Sequence, residues 1–70
     1  REAATHREVI EAASGFAVQN GFSAVGLDFS PIKGPEGNIE FLMHVRKCVQ
    51  PEGLPQRTIE AVVSKAHESL

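Results

Sequence analysis

The stretch Ser30-Pro31-Ile32-Lys33-Gly34-Pro35-Glu36-Gly37-Asn38 separates two runs of strand-forming residues, 22–29 before it and 39–47 after it. Two prolines and two glycines within nine residues exclude regular structure between the runs. In the first run Val25, Leu27 and Phe29 point one way, and Phe22, Ala24 and Gly26 the other. Both sets are apolar, the pattern of a strand covered on both faces rather than one with a wet side. In the second run Ile39, Phe41, Met43 and Val45 alternate with Glu40, Leu42, His44 and Arg46, a period of two with one apolar face. A connection of this length joins two such strands most simply as an antiparallel pair.

Working outward, residues 5–20 carry a helical rhythm. Thr5 and Glu8 stand at the spacing of a capping box. Val9, Ile10, Ala13, Phe16, Ala17 and Asn20 are expected to form one buried stripe. Asn20-Gly21 supplies the residue tolerant of positive φ that ends many helices. Beyond the second strand, Gln50-Pro51-Glu52-Gly53 is a polar break, and a last helix is expected over 55–69 with Pro55 at its first position. Ile59, Val62, Val63 and Ala66 make its apolar stripe, continued by Leu70. The order is helix, strand, strand, helix.

Two helices on a two-stranded ribbon make a thin core, and the doubly apolar first strand wants a neighbour on each side. The expected fold is therefore the end of a larger α/β sheet. Seventy residues suffice for one small domain or a piece of a larger one, and the first residue, Arg1, rather than Met agrees with a piece. The single cysteine, Cys48, cannot close an internal disulfide and reads as a small buried or half-buried residue. The chain is 41% hydrophobic and 23% charged, with a formal net charge of −2. A stand-alone nucleic-acid binder would carry a basic excess, so any RNA contact must draw its positive surface from elsewhere. Phe41-Leu42-Met43, the longest uncharged apolar run, is far short of a membrane helix. A cytoplasmic location is the default expectation.

The segment Ser30 to Leu42, SPIKGPEGNIEFL, closely resembles the C-terminal signature of hemolysin A-like methyltransferases, within the broader group of FtsJ-type ribose 2′-O-methyltransferases. Thr5-His6-Arg7-Glu8-Val9-Ile10 and the Gly21-Phe22 entry into the first strand look like the same family. The resemblance covers roughly two thirds of the chain. It implies a Rossmann-like sheet that binds S-adenosylmethionine and ends in an antiparallel hairpin. Residues 1–70 would be the C-terminal part of that methyltransferase domain, without the N-terminal RNA-binding domain or the cofactor-binding half. The implied activity is methylation of the 2′-hydroxyl of ribosomal RNA by the full-length parent; the piece alone is expected to be inactive.

The resemblance also assigns Glu40 as the last member of a Lys-Asp-Lys-Glu catalytic set. In open α/β sheets the site gathers beyond the carboxyl ends of the parallel strands. The first strand would end at Ser30 on that edge, and its antiparallel partner begins there, which puts Glu40 at the site. A ribose hydroxyl must lose its proton as it attacks the methyl donor, and a lysine that positions it needs a carboxylate to orient the ammonium. Glu40 is expected to orient rather than to act as sole base. On pattern alone it is a solvated strand-end carboxylate. Ser30, Lys33 and Asn38 are candidates for contact with the RNA; the alternative is that the loop simply makes the hairpin, with Asn38 bonding its own turn. Gly34-Pro35-Glu36-Gly37 precedes a strand instead of linking a strand to a helix, so it is not a phosphate cradle, and no cofactor-binding residue is expected here.

His6, His44, His67 and Cys48 lack the close pairing of zinc ligands, and no metal is expected. His6 reads as a first-turn helix residue and His44 as an outward strand residue. A membrane-active toxin is disfavoured, because neither helix is long or apolar enough to span a bilayer. The remaining alternative is a non-catalytic α/β interaction module that dimerises through exposed strand edges. As an isolated chain the piece is expected to be marginally stable, or sustained by self-association that hides its unpaired edges.

Overall fold

A computed structural model describes residues 2–70. Its elements are helix α1 (Ala3–Gln19), strand β1 (Phe22–Phe29), a short turn of helix (Pro35–Gly37), strand β2 (Phe41–Lys47) and helix α2 (Gln56–Ser69). The two strands form an antiparallel pair, as the loop between them requires, with Phe29 opposite Phe41, Leu27 opposite Met43 and Phe22 opposite Lys47. The register shifts between Ala24 and Gly26, so Val25 is the extra residue of a bulge. β1 matches its expected bounds. β2 starts two residues later than expected, leaving Ile39 and Glu40 ahead of the strand.

α1 starts at Ala3, with Glu2 as its N-cap, so Thr5 lies inside the helix and does not cap it. Ala3 and Ala4 are strong helix formers that extend the helix upstream, and the His6 N–H closes the first turn on the Glu2 carbonyl at 3.2 Å. At the other end the Asn20 side-chain amide donates to the Phe16 carbonyl at 2.8 Å. Gly21 then takes φ +83, a conformation glycine adopts without steric cost.

The buried stripe of α1 is rotated from its expected position. Ile10 and Ser14 are the buried residues, whereas Val9 and Phe16 are 61% and 68% exposed and Ala13 and Asn20 also face solvent. α2 behaves as its sequence pattern predicts: Ile59, Val63 and Ala66 are at most 1% exposed. It begins at Gln56, one residue late, with Pro55 as its N-cap. The Pro55 carbonyl accepts from Thr58 and Ile59.

Ile10, Ile59 and Val63 form the core, with Ala3, Leu27, Phe41 and Leu54 packed against them. Leu27 and Phe41 share one face of the ribbon, since each aligns with the other's neighbour across the ladder. Both helices lie on that face. Burying Ile59 and Val63 contributes about 1.5–3 kcal/mol each. The opposite face carries Leu42, 53% exposed, and exposed His44, so β1 is covered here on one side where its sequence asks for two.

The connector after β2 crosses to the far edge of β1. Ala24 donates its N–H to the Glu52 carbonyl at 2.9 Å, and the Glu52 N–H bonds the Ser23 hydroxyl at 2.9 Å. Leu54 donates its N–H to Ser14 Oγ at 2.8 Å, fixing the connector to α1. Among the described residues β2 pairs with β1 alone. Cys48 is exposed at the start of this connector, a correction to its expected burial: it lies past the end of β2, with its N–H bonded to the Gly21 carbonyl at 2.9 Å.

Candidate functional site

The loop 30–38 is held by its own backbone. Gly34 donates its N–H to the Asn38 carbonyl at 2.8 Å, and Gly37 donates to the Gly34 carbonyl at 3.1 Å. The stretch Pro35–Gly37 forms one tight helical turn, an exception to the expected absence of regular structure, and Glu36 inside it has φ 66 and ψ 14. A non-glycine residue in this left-handed region is sterically disfavoured. Gly37 follows at φ +80.

Ser30 closes the base of the loop. Its backbone N–H donates to the Glu40 carbonyl at 2.8 Å. Its hydroxyl donates to the Ile32 carbonyl at 2.9 Å and accepts the Ile32 N–H at 3.3 Å. Glu40 is thus tied to the carboxyl end of β1, the location derived for it from strand direction. Its carboxylate is exposed and lies over the Cα of Gly34. Lys33 and Asn38 are exposed on the same loop. Asn38 serves the turn through its backbone carbonyl.

The structure therefore brings Ser30, Gly34, Asn38 and Glu40 together at one end of the hairpin. The loop 30–38 does not form a glycine-rich cradle for an adenosine-type cofactor. The Gly34 and Gly37 amides that could cradle one are consumed by carbonyls within the loop, and no helix N-terminus follows it.

A second cluster lies between the helices. His6 Nδ1 and His67 Nε2 are 2.8 Å apart, with ring centroids at 5.0 Å. The His6 ring also meets Phe41 edge to face at 5.1 Å. Sequence spacing hides this pair, because 61 residues separate its members. His44 and Cys48 stand apart from it, exposed on β2 and beyond it. Among the described residues no group of three or more histidine, cysteine or acidic side chains is placed to hold a metal ion.

No family model matches the chain. It is 37% identical over 73 aligned positions to a protein of Bacillus subtilis (strain 168) named "Putative rRNA methyltransferase YqxC", an alignment covering all of this chain and 26% of that protein. Among solved structures, a "Putative hemolysin" from Streptococcus thermophilus superposes with TM-score 0.92 at 48% identity, over 99% of this chain and 25% of its own. A "putative hemolysin from Lactococcus lactis" superposes with TM-score 0.85 at 45% identity, over 96% of this chain and 32% of its own. The chain spans between a quarter and a third of the length of these relatives.

Proposed function

We propose that this chain, a segment of a hemolysin-like methyltransferase, is the C-terminal part of a Rossmann-like catalytic domain and supplies its parent with the carboxylate of Glu40. The parent, on this reading, is a cytoplasmic enzyme that transfers a methyl group from S-adenosylmethionine to a ribose 2′-hydroxyl of ribosomal RNA. The methyl donor and the RNA-binding surface belong to the rest of the parent. What this chain contributes is orientation: the Glu40 carboxylate holds a lysine ammonium beside the hydroxyl to be methylated, and favours its charged form.

The observation that carries this reading is the Ser30 to Glu40 backbone bond at 2.8 Å. It fixes Glu40 at the carboxyl end of β1, the edge on which active sites of open α/β sheets lie. Ser30, Lys33 and Asn38, on the same loop, border the path of the RNA. The net charge of −2 agrees with a segment that meets RNA only as part of a larger surface.

The word hemolysin in the names of the structural relatives raises a membrane role. Among the described residues no helix is long and apolar enough to cross a membrane, and the charged Glu60, Lys65 and Glu68 keep α2 polar on its outer face.

The test is methyl transfer to ribosomal RNA by the full-length protein, native against Glu40→Ala. A loss of about a hundredfold or more in rate, the scale of a positioned acid–base group, with cofactor binding intact supports the assignment. Unchanged activity removes Glu40 from the site. No methylation by either form would favour the non-catalytic interaction module.

A further inference from the structure

We infer that Gly34 is a positioning residue for Glu40, an inference resting on the role proposed for that carboxylate. Gly34 has φ −74 and ψ −174, extended backbone that any residue adopts. Its glycine identity is therefore not demanded by the chain's conformation. An added Cβ would instead crowd the exposed end of the Glu40 side chain. A Cβ built at Gly34 would overlap Oε2 of Glu40 and stand 2.8 Å from its Cδ and 3.2 Å from its Cγ, well inside van der Waals contact.

Either the loop or the carboxylate must yield to an added methyl group, and the hydrogen bonds decide which. Gly34 is latched on both sides, its N–H to the Asn38 carbonyl and its carbonyl to the Gly37 N–H. The backbone of Glu40 is held by Ser30. The Glu40 side chain is exposed and free to change rotamer, so it moves. Gly34→Ala is accordingly expected to leave the fold in place and to swing the carboxylate away from its seat. The contrast with Gly37 is instructive: a Cβ there meets nothing within 4 Å, and its glycine answers to φ +80 alone.

The absence of a side chain at Gly34 thus leaves room for the rotamer in which the Glu40 carboxylate lies over the loop, the one from which it would orient the lysine. Displacement of a catalytic group by about 1 Å costs on the order of a hundredfold in rate, so the effect is large enough to read.

The experiment is a double-mutant cycle in the full-length protein: native, Gly34→Ala, Glu40→Ala and the double variant, each assayed for kcat and KM on ribosomal RNA. Gly34→Ala is expected to lower kcat by about tenfold or more with KM, cofactor affinity and thermal midpoint unchanged. It is expected to cost nothing further once Glu40 is already alanine. Full activity of Gly34→Ala beside a crippled Glu40→Ala would overturn the positioning role and leave the carboxylate assigned. The same fold-loss in both backgrounds would give Gly34 a purely structural role and also overturn it. An unchanged Glu40→Ala enzyme would remove both assignments. If Gly34→Ala lowers the thermal midpoint, Pro35→Ala serves as the control for general loop damage, and an equal kcat loss in that variant counts against Gly34.

Discussion

His6 and His67 join the first turn of α1 to the last turn of α2, Nδ1 to Nε2, across 2.8 Å. One imidazole donates and the other accepts. The pair sits beside Phe41, whose ring meets His6 edge to face, so helix packing and the start of β2 are fixed at the same point. A double-mutant cycle on His6→Ala and His67→Ala, followed by denaturant unfolding of the full-length protein, is expected to show a coupling of about 0.5–1.5 kcal/mol. Strict additivity would mean that the two rings merely share a location.

Ser14 is the buried polar residue of α1, 5% exposed, and its hydroxyl receives the Leu54 N–H. Ser14→Ala removes the acceptor and leaves a partly buried amide with nothing to bond. A loss of about 1–3 kcal/mol is expected in the unfolding free energy. Gly53 packs on the same hydroxyl, since a Cβ there would lie 2.8 Å from Ser14 Oγ. Gly53→Ala is therefore also expected to destabilise, and the two losses should not add.

Glu36 holds a left-handed backbone, φ 66, at a cost of about 1–2 kcal/mol for an ordinary residue. Asparagine tolerates this region better than glutamate. Glu36→Asn is expected to stabilise the protein by up to about 1 kcal/mol, read as a raised thermal midpoint. Methylation should be unaffected, as Glu36 holds no place in the proposed site. A lowered midpoint would indicate that the Glu36 side chain does something its backbone does not disclose.

Phe16, at 68% exposed, and Val9, at 61%, form a second apolar stripe on α1. If the rest of the parent covers it, Phe16→Ala will cost the full-length protein about 3–5 kcal/mol and the isolated 70-residue chain close to nothing. Equal effects in the two would place this stripe on the outer surface of the parent as well.

The isolated chain is expected to self-associate, because Val9, Phe16, Val25 and Leu42 are all at least half exposed. Size-exclusion chromatography across a dilution series reads this directly. A tightly folded monomer at low concentration would show that the thin core stands alone.

The hairpin was the most legible part of the sequence. Proline and glycine at 31, 34, 35 and 37 leave the chain no choice but to turn, and strand periodicity survives on either side. α2 is equally plain, for Ile59, Val63 and Ala66 all belong to the one apolar stripe that its spacing marks. α1 misled because it carries two apolar stripes at helical spacing. Val9, Ala13 and Phe16 are as periodic as Ile10, Ser14 and Ala17, and the larger side chains lie on the stripe that is open here. A serine in the inner stripe gave no warning, since its value depends on an amide 40 residues away. A still longer separation in sequence hides the pairing of His6 with His67. At the candidate site, strand direction alone located Glu40 beside the end of β1, but the seat beneath its carboxylate required coordinates: a glycine in a turn reads as a conformational choice, and at Gly34 its effect is room for that carboxylate.

The two edges of the hairpin differ. Glu52 closes the outer edge of β1 through its backbone, while β2 keeps an edge with no strand beside it among the described residues. The β2 edge is therefore the more open of the two, and an unpaired strand edge offers a template to any extended chain nearby. The interval between synthesis and docking is when such a protein is vulnerable to aggregation. Arg46 and Lys47, the exposed basic end of β2, are residues of the type that blunts such an edge, because like charges oppose the pairing of identical strands.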